Sequence, residues 1–224
     1  RSYYETYIER DLRQLIHIKD LLQFQRFVRL CAGRVGQVFN ASSLANEVGT
    51  SAVTIKSWLS ILQASYIVML LPPYFENFGK RLIKAAKLYF YDVGLATYLL
   101  GIESTQQLAR DPLRGALFEN MVLMELIKTR TNRGLDPQFH FYRDNHQNEI
   151  DILFKRGSDL LPVEIKSAQT FHADFLKGLR YLQKIMPERF KEGYLVYDGQ
   201  IEQKIDTFDL VNFRRAAPVI FPPA

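Results

Sequence analysis

Four side chains in the second half of the chain have the types that metal-assisted chemistry uses: Glu119, Asp151, Glu164 and Lys166. Magnesium prefers hard oxygen ligands and commonly takes one or two carboxylates together with waters and substrate phosphate. Asp151 and Glu164 suit that role, and Glu119 suits completing the coordination or holding a metal-bound water. A bound Mg²⁺ or Mn²⁺ would acidify a water and stabilise charge on a phosphodiester, while Lys166 would orient the nucleophile or neutralise the developing charge. The expected catalytic set is Glu119, Asp151, Glu164 and Lys166, with Asp151, Glu164 and Glu119 as metal ligands; the alternative is that the four form a structural ion cluster or the relic of a site.

The elements that must position these groups can be read from periodicity. Gly115 to Lys128 reads as a helix that is apolar nearly all round, hence buried. On its projection Glu119 falls between Leu123 and Leu126, so its carboxylate lies along an apolar surface, where a charge is costly unless paired with a cation. Glu125 raises a similar question on another face. Phe139 to Tyr142 reads as a strand, and Asn148 to Lys155 as a second with strict alternation. Ile150, Ile152 and Phe154 are expected on one side, and Glu149, Asp151 and Leu153 on the other. Residues 156–159 suit a hairpin turn, followed by a strand over Leu161 to Ser167 in which Glu164 and Lys166 share a face. Asp151 joins them if the hairpin pairs normally. A helix over Phe171 to Met186 and a strand over Gly193 to Tyr197 follow.

The first half reads as helical. Tyr4, Tyr7, Ile8, Leu12, Leu15 and Ile16 recur on one helix face, and a second helix runs from about Leu21 to Ala32, stopped by Gly33 and Gly36. Residues 42–48, the turn Gly49 to Ser51 and the run Val53 to Leu62 look like a helix-turn-helix, with Val53, Trp58, Leu59 and Leu62 towards the core. Extended runs over Ser65 to Leu71 and Lys87 to Tyr91 complete the pattern of a winged helix, with Lys80, Arg81, Lys84 and Lys87 in or beside the wing. Two readings stand here. Thr54, Lys56 and Ser57 approach a DNA groove while Lys80, Arg81 and Lys84 contact phosphates, or the winged helix is a packing module with a solvated charged face. Lys177, Arg180 and Lys184 likewise form either a DNA-backbone stripe or the wet side of an amphipathic helix. Arg143 and His146 sit in a polar loop within reach of phosphate, whereas His17, His140, His146 and His172 show no metal-ligand spacing.

Composition limits the alternatives. With 224 residues, two domains are the better expectation. The formal charge of +5 and pI near 9.2 permit a polyanionic partner without demanding one. The densest apolar run, Tyr66 to Pro73, is less than half of the roughly 20 residues that span a bilayer, so no membrane is expected. A single cysteine, Cys31, excludes an internal disulfide framework and suits a reducing compartment, the cytoplasm. The chain opens at Arg1 without an initiator Met, already in a helical pattern, and is read as a piece of a longer protein.

The order of a helix with an inward Glu119, a strand bearing Asp151, a hairpin, then Val163-Glu164-Ile165-Lys166, a helix and a strand resembles the PD-(D/E)xK nuclease core of Holliday-junction resolvases and many restriction enzymes. End to end, the chain resembles the C-terminal half of a bacterial and archaeal family of AAA-type ATPases. That resemblance is carried by Tyr7-Ile8-Glu9-Arg10-Asp11-Leu12, the helix-turn-helix, residues 88–95 (Leu-Tyr-Phe-Tyr-Asp-Val-Gly-Leu), Gly115 with Glu119, Glu149-Ile150-Asp151 and Val163 to Lys166. It implies an upstream P-loop ATPase domain, a winged helix and a terminal nuclease-like domain. The sequence holds no Gly-x-x-x-x-Gly-Lys-Ser/Thr, so ATP would bind only to the upstream domain. The expected architecture is α/β, α+β overall. Residues 1–33 would be linking helices, 34–105 a winged helix, 106–200 a nuclease-like domain and 201–224 a tail. The expected function is DNA binding with metal-dependent phosphodiester hydrolysis, or a non-catalytic module that binds nucleic acid or protein for the ATPase.

Overall fold

The computed structural model describes residues 21–75 and 85–222. The expected first helix, with Tyr4 to Ile16, and the wing residues Lys80, Arg81 and Lys84 lie outside the described residues. The chain is α+β, with a helical N-terminal part and a C-terminal sheet. It divides into two compact units, Arg1–Leu70 with Lys87–Leu117, and Leu71–Ala86 with Phe118–Ala224.

In the first unit, α1 (Leu21–Ala32), α2 (Ala41–Val48) and α3 (Ala52–Ala64) precede a two-stranded sheet of β1 (Val68–Leu71) and β2 (Lys87–Phe90). The short helices α4 (Val93–Leu99) and α5 (Thr105–Arg110) follow. Local chemistry sets the ends of the helix-turn-helix. Asn40 caps α2 by accepting the Ser43 N–H at 3.0 Å, and Ser51 caps α3 through the Thr54 N–H at 3.0 Å. Gly49 ends α2 at φ 81°, a left-handed conformation that glycine adopts without a Cβ penalty. Phe24, Phe27 and Trp58 then pack ring to ring at 5.5–6.3 Å.

One expectation fails in this unit. Val53 is 77% exposed, and Ile55 takes the buried place with Trp58, Leu59 and Leu62. Ile55, Trp58, Leu59 and Leu62 keep the i, i+3, i+4, i+7 spacing of one helix face, and Val53 lies about 200° round the helix from Ile55. Lys87, the first residue of β2, is buried, because β2 pairs with β1 on one side and bridges Val38 on the other.

The second unit is built on a six-stranded mixed sheet of order β3-β4-β5-β6-β8-β7. Its strands are β3 (Phe139–Arg143), β4 (Glu149–Arg156), β5 (Asp159–Lys166), β6 (Gly193–Tyr197), β7 (Gln203–Ile205) and β8 (Phe208–Asn212). β3, β4 and β5 are antiparallel neighbours, β5, β6 and β8 are parallel, and β7 returns antiparallel to β8. The segment expected as a tail therefore supplies two strands and the short helix α8 (Ala216–Ile220). α6 (Arg114–Thr131) carries Glu119, and the division between the units falls in its first turn. Within α6, Glu125 is exposed and pairs with Lys128 at 2.9 Å, so its charge needs no buried partner.

Helix α7 (Lys177–Ile185) follows a 3₁₀ turn at Ala173–Leu176. Leu176, Leu179, Leu182 and Met186 recur every three or four residues and join a buried cluster with Leu160, Leu195 and Leu210 of the sheet. Lys177, Arg180 and Lys184 are left exposed on the outer side.

Candidate acidic site on the sheet

The register brings the predicted strand residues together. Ile152 faces Val163, so Asp151 and Glu164 are the next residues along the antiparallel pair. Asp151 Oδ2 accepts the Ile165 N–H at 2.7 Å, and Lys166 Nζ donates to Glu164 Oε1 at 2.6 Å. Both carboxylates are 8% exposed. Glu119 is half-buried on α6, and its negative charge acts on both Glu164 and Lys166.

Strict alternation along β4 does not hold. His140 faces Leu153, yet Tyr142 faces Ile150, so Phe141 alone on β3 opposes both Asp151 and Ile152 on β4. This extra residue is a β-bulge, a feature that re-aims side chains and recurs beside functional sites. Ile150 and Leu153, expected on opposite sides, accordingly join the same buried cluster with Leu179 and Leu182. Asp151 sits within the bulge, where its side chain turns back to the backbone of β5.

The electrostatics are those of crowded carboxylates. Burial, then the neighbouring charge of Asp151 and more weakly that of Glu119, raises the Glu164 pKa to about 8 against the opposing pull of Lys166. Burial alone would push Lys166 down, but the charges of Asp151, Glu164 and Glu119 outweigh it and hold the ammonium above its ordinary value. Glu164 Oε2 is buried and has no hydrogen-bond partner. A buried, unpaired carboxylate oxygen carries a desolvation cost that a cation would offset.

That orphaned oxygen is the observation against which a divalent metal can be tested. Among the described residues no three His, Cys, Asp or Glu side chains are gathered as a metal cluster, so Glu119, Asp151 and Glu164 do not form a ready three-ligand cage. Asp151 and Glu164 fit the smaller demand of one or two carboxylates that magnesium makes, with waters filling the remaining positions.

Two supports of the site were not singled out by sequence reasoning. Gly178, at the start of α7, allows the helix to lie directly on β4. A Cβ there would come 2.8 Å from the Glu149 carbonyl oxygen and 3.3 Å from Glu164 Oε2. Asp144 is the other. It is buried in the β3–β4 turn and accepts from the His146 N–H at 2.8 Å, the Asn148 N–H at 3.0 Å, Asn148 Nδ2 at 3.0 Å and the Tyr181 hydroxyl at 2.6 Å. Burial works against its charge, but these donors prevail and lower its pKa. Asp144 thereby ties α7 to the turn that feeds β4. The polar run from Asp144 to Asn148 is a turn signal, but Tyr181 lies 37 residues away and no local pattern points to it.

The expected nucleic-acid residues fare differently from one another. Lys56 and Ser57 are exposed on α3, whereas Thr54 is half-buried and its hydroxyl lies 2.9 Å from Ser51 Oγ in the cap. Arg143 pairs with Glu149 at 3.3 Å and hydrogen-bonds Gln147, which closes the β3–β4 turn instead of leaving the guanidinium open. Lys177 is exposed, and Arg180 lies 4.0 Å from Asp206.

Comparison with known proteins adds two kinds of match. The chain is 31% identical over 169 residues to an uncharacterised protein of Mycobacterium tuberculosis, and equally to one of Mycobacterium bovis; the matched region covers 75% of this chain. It spans 37% of each relative's length. Residues 1–106 match the family model described as a domain of unknown function, DUF8612, and residues 114–215 match another, DUF4143. Successive parts of the chain are thus similar to two domains of unknown function, DUF8612 and then DUF4143.

Proposed function

We propose that the sheet unit is a nuclease-like domain of the PD-(D/E)xK kind that hydrolyses phosphodiester bonds in nucleic acid with a divalent metal. The observation that carries this reading is Glu164: a buried carboxylate with one oxygen on the Lys166 ammonium and the other without a partner, next to Asp151. Asp151 and Glu164 would hold Mg²⁺ or Mn²⁺, which when bound would acidify a water and offset charge on the scissile phosphate. Lys166 remains an ammonium in this acidic setting, ready to stabilise negative charge as it develops on the phosphate oxygens. The Ile165 N–H fixes the Asp151 carboxylate, so little reorganisation is required of it. Glu119 contributes negative charge from α6.

In this proposal the helical unit is a winged helix that presents Lys56 and Ser57 to DNA, and the chain belongs to an AAA-type ATPase whose nucleotide domain lies upstream. The element order supports the winged helix: a helix, the Val38 bridge, the helix-turn-helix and a two-stranded sheet.

The test is incubation of the chain with labelled single-stranded, duplex and branched DNA, with Mn²⁺ or with EDTA. Metal-dependent cleavage by the wild type, lost in Asp151→Asn and Glu164→Gln, is expected. Cleavage equal in both variants would refute the assignment. A second reading, a non-catalytic module that binds nucleic acid or protein for the ATPase, draws on the absence of a gathered three-ligand cluster among the described residues. It requires DNA binding that survives EDTA and Asp151→Asn, with no cleavage under any condition.

A further inference from the structure

The end of β8 gathers groups that the acidic cluster does not use. Parallel register sets Lys166 beside Tyr197, and Tyr197 beside Asn212. The carboxyl ends of β5, β6 and β8 therefore share one edge, with Asn212 two strand spacings, about 10 Å, from Lys166. In open α/β sheets ligands bind outside that edge.

Asn212 is buried and fixes the chain as it leaves β8. Its Nδ2 donates to the Gly199 carbonyl at 2.7 Å, and its Oδ1 accepts the Arg214 N–H at 3.0 Å. The next residue, Phe213, sets its ring edge-to-face with Phe118, the centres 5.2 Å apart. Phe118 immediately precedes Glu119, whose charge acts on Glu164 and Lys166. The Arg214 guanidinium lies 4.6 Å from the centre of the Phe213 ring and is exposed. Among the described residues no carboxylate pairs with it, whereas its neighbour Arg215 is paired with Glu202.

We infer that Arg214, backed by the Phe118 and Phe213 rings, is a nucleic-acid contact that holds a backbone phosphate beside the cluster of Asp151, Glu164 and Lys166. The inference rests on the nuclease-like reading and extends it to substrate binding. With no metal bound, the acidic groups Asp151, Glu164 and Glu119 outnumber the single ammonium of Lys166, so further positive charge at this edge would favour an entering polyanion. A guanidinium with one face on a ring keeps its in-plane donors for a phosphate, in a geometry that an ammonium cannot reproduce.

The test is fluorescence anisotropy of labelled single-stranded and duplex DNA with the 224-residue chain in EDTA, over a range of salt, so that binding is read apart from cleavage. Arg214→Gln should weaken binding several-fold and reduce the steepness of the log–log salt dependence by about one. Arg214→Lys should restore the salt dependence but not the full affinity, and Arg215→Gln should change either one less than Arg214→Gln does. If Arg214→Gln matches the wild type in affinity and salt dependence, the inference falls while the proposed catalysis stands. If the wild type binds neither DNA, the inference falls, and cleavage with Mn²⁺ decides the nuclease-like reading separately.

Discussion

The two units treat charge in opposite ways. Among its described residues the helical unit buries one charged side chain, Lys87, and fills its interior with Phe24, Phe27, Trp58, Ile55 and Leu62. Among its described residues the sheet unit buries three carboxylates, Asp144, Asp151 and Glu164, within an apolar core. Buried charges are poor stabilisers compared with apolar groups of the same volume. One of the three, Asp144, is satisfied by four donors and is structural. Glu164 retains an oxygen without a partner. The contrast separates a unit organised for packing, with its polar groups on the surface, from one that retains a local electrostatic cost where chemistry could use it.

The largest expected effect lies in the apolar unit. Phe27→Ala should remove the ring contacts to Phe24 and Trp58 and cost about 4 kcal/mol in urea unfolding of the chain. A cost near 1 kcal/mol would mean that packing is not what holds that unit. Next is Asp144→Ala, which strands buried donors and should cost about 3 kcal/mol. Tyr181→Phe, which removes a single donor, should cost less, and equal losses would argue against Asp144 as the hub.

Glu164 gives the comparison its sign. Its folded pKa is raised from 4.5 to about 8, so the folded chain binds a proton that the unfolded chain has released between those values. Stability from this group is therefore complete below pH 4.5 and is lost as pH rises through about 8. The slope is at most about 1.4 kcal/mol per pH unit. Glu164→Gln should flatten that decline, measured as urea midpoints from pH 5 to 9. An unchanged profile would show that the buried carboxylate is not strained. The smallest effect is Gly49→Ala, which forces a Cβ into φ 81° at the end of α2 and should cost about 1 kcal/mol in the same assay.

Much of the sheet was legible because a central strand must be apolar and a hairpin must turn. The strand Gly193–Tyr197, the turn around Gly157 at φ 61° and the neighbouring Glu164 and Lys166 all follow from local pattern. The bulge at Asp151 and Ile152 was not legible, since an inserted residue on one strand is defined only by its partner across the ladder. β7 and β8 were hidden for a related reason. Gln203–Ile205 lies on the sheet's outer edge and is largely exposed, so it carries little apolar alternation. In the helical unit, Ile55, Trp58, Leu59 and Leu62 keep the i, i+3, i+4, i+7 spacing of one face, so the expectation of Val53 in the core failed on spacing that the sequence itself carries. The burial of Lys87 depends on the distant bridge to Val38, which composition could not reveal.

The chain enters the sheet unit earlier than a cut between the halves would suppose. Pro73 bridges Phe141, the Tyr74 N–H donates to the Phe141 carbonyl at 2.7 Å, and the Phe141 N–H donates to the Pro72 carbonyl at 3.1 Å. These few residues cap the outer side of β3, and Tyr74 also receives a hydrogen bond from Arg189 at 2.8 Å. A fragment beginning near residue 106 or 118 would leave that strand with open donors and acceptors, a template for self-association. Anyone isolating the acidic half should carry residues 71–75 along with it, supplied in trans or joined by a permuted chain, or expect insoluble material whose inactivity says nothing about the site.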